Sequence, residues 1–452
     1  MSALGLPHMP NEIWLLIIKE LEFYASSLYN LRLASRALNE LVLPTLVEQR
    51  FRTCCVMLWQ DSLEDLDEIS RHPVFGPAMR HLKISIFHLL HDHHADHGDT
   101  DIAVKGEEMD DSDEGQAVLE RDMRHLILEQ DHAGTEQEGE PDGTEEDGVR
   151  TPHCLALEDQ QFMMESGLNA AYLAQAMSRL KLETISIERP YTQFAVATLK
   201  RKRGLEGFTD GMTKPDSIRF MEQAIRAVVS AIVASKVSFW DLIIGDWMRQ
   251  ISPDMLVLPR PLVRCIQNNP IHLAGLGLFL APRNMTRPYD EWASNLIDFI
   301  TLFPSLDRLE LDLVTVRGGE CLQFPEFCEG LRLQWLRELV ITGLRCDTPD
   351  ALASLIVGHK DTLRRISLVC THIYAGVEGW RALLTTIRDE FPTEPIVALV
   401  NCRSERDHIY CYRDEGEATT YLNIINEIRG QEDMGLADMI KRLVITTDDW
   451  EE

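Results

Sequence analysis

The chain has 452 residues, 45% of them apolar, and 44 Lys+Arg against 73 Asp+Glu give it a formal net charge of −29. That length exceeds one ordinary core of ~100–200 residues and asks for several units or one long array, while the apolar fraction excludes wholesale disorder. The negative charge argues against nucleic acid as a partner, and no apolar run reaches the ~18–20 residues of a membrane span.

The first fifty residues read as a helical block. Pro10-Asn11-Glu12 opens a helix whose next six residues, Ile13 to Ile18, are all apolar. Ile13, Leu16, Ile17 and Leu21 fall on one face at helical spacing, with Trp14, Leu15 and Ile18 outside it. A helix that is apolar nearly all round has to be covered on two sides. Three short helices cannot do that by themselves, so a partner surface is implied. Ser26-Ser27 is expected to cap a second helix carrying Leu28, Leu31 and Ala34. A third is expected through Leu38 and Leu41 to Pro44, with Leu46 following.

Leu6-Pro7, Met9-Pro10-Asn11-Glu12-Ile13, Ile17, Leu21, Leu31, Arg32-Leu33-Ala34-Ser35-Arg36, Leu38-Asn39-Glu40-Leu41 and Pro44-Thr45-Leu46 follow an order and spacing that resemble the short F-box form common in fungal proteins. Met9 stands where that form usually has leucine, and the tryptophan that longer F-boxes place near the third helix is absent. The resemblance implies a non-catalytic substrate adaptor of a Skp–cullin–F-box ubiquitin ligase. It would dock a Skp-family adaptor, and through it a cullin, by way of Leu6, Pro10, Glu12, Ile13, Trp14, Ile17, Leu31, Leu41 and Pro44.

Downstream, an LxxLxL pattern of apolar residues recurs at Met79-Leu82-Ile84, Leu182-Ile185-Ile187, Phe239-Leu242-Ile244, Leu273-Leu276-Leu278, Leu306-Leu309-Leu311, Leu336-Leu339-Ile341, Leu363-Ile366-Leu368 and Ile440-Leu443-Ile445. The pattern alone is cheap in an apolar chain. The starts at 239, 273, 306, 336 and 363, however, recur every 27–34 residues. Helical stripes lie between them: Ile218, Met221, Ile225, Val228 and Ile232; Trp292, Leu296, Phe299, Ile300 and Phe303; Trp380, Leu383, Leu384, Ile387 and Phe391. Pro304 and Pro392 stand after two of these helices as stops. A strand–helix unit of this size cannot bury its own apolar face, but stacked copies can.

The expected fold is therefore α/β: an N-terminal three-helix F-box followed by an irregular solenoid with a parallel strand face, resembling the degenerate leucine-rich repeats of F-box proteins over most of residues 75–400. An α/β domain with a conventional parallel sheet remains open. Outward residues of the middle strands, Arg308, Glu310, Asp312, Glu338, Val340, Arg365 and Ser367, are the candidates for binding an unknown protein target. Pairing of Glu310 and Glu338 with Arg365 across the strands is the plainer alternative for them.

Between Asp92 and Gly148, 21 Asp+Glu against 3 Lys+Arg carry 18 of the 29 net negative charges, so this stretch is expected to be a disordered insert between two repeat strands. The expected layout is 1–50 F-box, 51–91 linker helices and first repeat strand, 92–150 acidic insert, 151–400 solenoid and 401–452 a capping segment. His88, His91, His93, His94 and His97 beside Asp92, Asp96, Asp99 and Asp101 could ligate a metal. Without fixed geometry they read as adventitious polarity, and neither metal nor cofactor is expected.

Lys200-Arg201-Lys202-Arg203 reads as a solvated loop or a nuclear address. The ten cysteines form no CxxC pair and no secretory pattern is evident, so reduced thiols and a cytoplasmic or nuclear location are expected. No GxxxxGK[ST], GxGxxG, HExxH or GxSxG motif occurs. The rival functions are a binding scaffold outside any ligase and, more remotely, a metal-dependent hydrolase using the His/Asp cluster.

Overall fold

The computed structural model describes residues 10–21, 25–90, 152–189, 208–209, 214–246, 250–281, 292–313, 324–400, 402–404, 407–411 and 443–446. Within them the chain is an α/β protein with thirteen helices and a mostly parallel sheet.

Three helices come first: α1 (Asn11–Glu20), α2 (Ala25–Ala34) and α3 (Arg36–Phe51). Ser35 caps α3, its Oγ accepting from the Leu38 amide at 3.2 Å. The cap expected at Ser26-Ser27 falls instead inside the first turn of α2. Helix α3 also runs through Pro44 rather than stopping there, because Val42, Leu46 and Val47 continue its buried stripe past the proline. Ile18, Leu28, Tyr29, Val42 and Leu46 form a small core of their own, with Leu21, Leu31 and Leu41 against it.

The main sheet has nine strands, all parallel and ordered in space as they are in sequence. They are β1 (Thr53–Met57), β2 (His81–Ser85), β3 (Thr184–Glu188), β4 (Asp241–Ile244), β5 (Gly275–Phe279), β6 (Arg308–Asp312), β7 (Glu338–Thr342), β8 (Arg365–Val369) and β9 (Ile396–Val400). Their register aligns Cys54, Leu82, Ile185, Leu242, Leu276, Leu309, Leu339, Ile366 and Val397 in one row, and Val56, Ile84, Ile187, Ile244, Leu278, Leu311, Ile341, Leu368 and Leu399 in a second. The anchors expected from Met79 to Leu368 are all at most 4% exposed, and each contributes roughly 1.5–3 kcal/mol on burial.

The helices between the strands cover this face. The expected stripes on helices Pro215–Ser235, Trp292–Ile300 and Gly376–Glu390 are the buried ones. Trp380 also donates from its indole Nε1 to the Arg403 carbonyl at 3.1 Å, tying the last of these helices to strand Cys402–Ser404.

Three expectations need correction. The sheet begins at Thr53, ahead of the first motif at Met79, and it closes with Ile396–Val400, whose first motif slot is Glu394. The third concerns the last motif. Leu443–Thr446 pairs antiparallel with Asp407–Cys411 in a separate five-stranded sheet and adds no tenth parallel strand. Apolar spacing marks a buried strand but carries no information about its partner or direction.

The acidic stretch 92–150 lies outside the described residues. The chain leaves towards it after β2 and returns before β3, the neighbouring strand. Its flanks are held together: Gln160 on helix Pro152–Ser166 accepts from the Leu89 amide at 2.9 Å and donates to the Leu89 carbonyl at 3.2 Å.

Candidate interaction surfaces

Helix α1 is too apolar for its own block to cover. Trp14 and Ile18 point inward and are 5% and 2% exposed, and Ile17 is half-buried. Ile13 and Leu16 share the adjacent outward stripe and are 42% and 61% exposed; Leu15, on a further side, is 53% exposed. The stripe of Ile13, Leu16, Ile17 and Leu21 read from spacing is therefore split: Ile13 and Leu16 face out, Ile17 is half-buried, and Leu21 packs against the small core. Pro10, Glu12 and Pro44 are exposed as well.

Trp14 departs from the expected contact set, since it is only 5% exposed and offers a partner little surface. Leu31 and Leu41 are half-buried against the small core and serve it first. Leu6 lies outside the described residues. On α2, Leu33 is 60% exposed, and Arg32 is buried over the Tyr29 ring at 5.4 Å.

The second surface is the open face of the sheet, made by residues alternating with the buried rows. Arg308, Glu338 and Arg365 are neighbours in one row, Glu310, Val340 and Ser367 in the next, and Asp312 lies beside Thr342. The expected target-binding residues are thereby brought together, with two exceptions in access. Asp312 and Ser367 are only 7% and 4% exposed, because Phe279 and Thr342 flank the one and Val340 and Ala398 the other.

Arg308 reaches past its own neighbour. Its Nη2 lies 2.9 Å from Asp241 Oδ1, two strands away, by passing over Gly275. A Cβ at Gly275 would stand 2.1 Å from that Asp241 oxygen and 3.1 Å from Arg308 Nε, so only glycine leaves room for the pair. Neither Asp241 nor Gly275 was evident as a site residue from local spacing. The one signal was the outward pair of glycines, Gly275 and Gly277, in a strand otherwise built of large residues.

With Arg308 committed to Asp241, the Glu310 and Glu338 carboxylates make no ion pair among the described residues, so the cross-strand pairing with Arg365 does not form through either of them. Burial holds the Glu310 carboxyl above the usual carboxylate range; Arg308 opposes this, and Glu338 and Asp241 reinforce it. Further along the same face Lys83 pairs with Glu188.

Of the clustered histidines, His88 alone lies among the described residues. His88 is 1% exposed and structural: Nδ1 meets the Ile86 carbonyl at 3.0 Å, Nε2 meets Ser217 Oγ at 2.8 Å, and the ring stacks on Phe220. With both ring nitrogens engaged, it is not placed to ligate a metal. His91, His93, His94 and His97, and the basic run 200–203, lie outside the described residues. No family model matches the chain, and no curated protein sequence matches it.

Proposed function

We propose that the chain is a non-catalytic substrate receptor of a Skp–cullin–F-box ubiquitin ligase. In this reading the helical block docks a Skp-family adaptor, and the strand array acts as an irregular leucine-rich-repeat-like solenoid that selects a protein target. Tethering, rather than side-chain chemistry, would do the work, by raising the target's effective concentration near the ubiquitin-conjugating enzyme.

The observation that carries the reading is the outward stripe of Ile13 and Leu16 on α1, beside Pro10 and Glu12, in a block with a core of its own. Contiguous exposed apolar residues on a small helical unit mark a protein contact. The strand order, which never reverses over nine parallel strands, supports the solenoid half of the proposal.

Co-expression with a Skp-family adaptor, followed by affinity purification, tests it. Wild type should retain the adaptor, and Pro10→Ala/Ile13→Ala should lose it while melting at the wild-type temperature. Failure of folded wild type to retain the adaptor overturns the ligase reading and leaves the scaffold.

A further inference from the structure

The edge where the parallel strands begin carries features that neither the helical block nor the open face uses. Backbone amide-to-carbonyl bonds link Glu183, Trp240, Ala274, Asp307, Arg337 and Arg364 side by side just ahead of their strands. Two indoles stand out along this edge. Trp240 is 69% exposed, and Trp335, two residues before Arg337, is 52% exposed. Tryptophan at that exposure forgoes a large apolar gain unless something covers it.

Trp335 lines a shallow recess of about 330 Å³ with Arg337, Asp361, Thr362 and Arg364. Among the described residues its two arginines form no ion pair with a carboxylate. The Arg337 guanidinium makes no hydrogen bond or ion pair among the described residues. Arg364 donates only to carbonyl oxygens, those of Leu363 at 3.2 Å and Asp361 at 3.0 Å. Elsewhere on the same edge arginines are matched, as Arg52 and Arg80 are by Glu183 at 3.6 and 3.8 Å. Arg337 and Arg364 stand on adjacent strands, roughly 4.8 Å apart at the backbone. In a chain of net charge −29, two guanidinium groups that form no ion pair among the described residues, with Asp361 the one acidic residue lining their recess, stand beside an uncovered indole as a local exception.

We propose that the Trp335–Arg337–Arg364 recess docks a peptide segment of a partner that presents an anionic group next to a flat apolar side chain. The indole covers the apolar group, and the two forks take the anion, which suits carboxylate and phosphate alike. Asp361 lines the same recess and its carboxylate opposes an anion, but the two guanidinium groups outnumber it and leave the recess net positive. The site lies apart from α1 and does not rest on the adaptor reading.

Fluorescence anisotropy on the full chain tests this with three labelled peptides of one length. Each has a single phenylalanine, flanked by glutamates in the first, phosphoserines in the second and glutamines in the third. At least one anionic peptide should bind, and the glutamine peptide should bind about tenfold more weakly or worse; the two anionic arms tell carboxylate from phosphate. Trp335→Ala and Arg337→Gln/Arg364→Gln should each cost about tenfold, and added salt should weaken binding. Trp335→Phe keeps a ring and should restore most of the loss, which separates docking from misfolding. Adaptor retention should be unchanged in all of these variants, so failure here and failure of the ligase reading are distinguishable. Failure of both anionic peptides to bind, equal binding of all three, or unchanged binding in the variants overturns the proposal.

Discussion

Leu309 and Leu16 are the same residue in opposite circumstances. Leu309 sits in the inner row of β6 between Leu276 and Leu339 and is fully buried, whereas Leu16 on α1 is 61% exposed. The strand array gives the inner residues of its central strands a neighbour on each side, and helices pack over them in one continuous core. The helical block has only a small core of its own. It covers Trp14 and Ile18 and leaves Ile13, Leu15 and Leu16 outside. The array covers its own inner face, whereas the block leaves part of an apolar helix exposed.

The sharpest way to break this comparison lies within α1. Trp14→Ala should cost about 3–5 kcal/mol and open the block, whereas Leu16→Ala should change stability by no more than about 0.5 kcal/mol. Hydrogen exchange over residues 11–51, read by mass spectrometry, distinguishes the two. Equal protection in both variants would remove the distinction between inward and outward faces.

In the array, Gly275→Ala should cost about 1–3 kcal/mol in denaturant unfolding, since the new methyl group displaces the Asp241–Arg308 pair. Asp241→Asn at the same site should be milder, because it leaves the space intact.

A smaller effect should follow pH through His359, which is 4% exposed and joins two units of the array. Its Nε2 accepts from the Leu333 amide at 3.0 Å, and its Nδ1 lies 2.8 Å from the Leu355 carbonyl. Burial lowers its pKa from the usual 6.5, Leu355 opposing and Arg332 adding to the shift. The unfolded chain therefore takes this proton first, so the neutral ring's contribution is complete above pH 6.5 and is lost as pH falls below it. The stability advantage of wild type over His359→Gln should shrink on acidification, by about 1.4 kcal/mol per pH unit at most.

Smallest of all should be the effect of replacing residues 95–148 with a short Gly/Ser linker. Gln160 already holds Leu89 across that gap, and loop closure costs only about 0.6 kcal/mol per doubling of length. A melting temperature lowered by many degrees would show that the segment packs on the body.

Much of the array was legible because its signal is local. Leu306, Leu309 and Leu311 report a strand from their own spacing, and the Trp380 stripe reports a helix. Phe51, Cys54 and Val56 fit the same spacing, but α3 ends at Phe51 and the strand begins at Thr53, with no turn residue between to mark the change from helix to strand. The orientation of α1 was not legible either, since a run of six apolar residues has no polar side to show which face turns in. The Asp241–Arg308 pair spans 67 residues and exists only through the register of three strands, which no local pattern encodes.

Calorimetric titration of a purified Skp-family adaptor into the full chain and into Ile13→Ala/Leu16→Ala shows whether the outer face of α1 is a docking site. Wild type should bind tightly and the variant at least about 100-fold more weakly, from truncating two contacts of ~2 kcal/mol or more each, with melting curves that superimpose. No heat of binding to folded wild type, or the same affinity in both proteins, would contradict it.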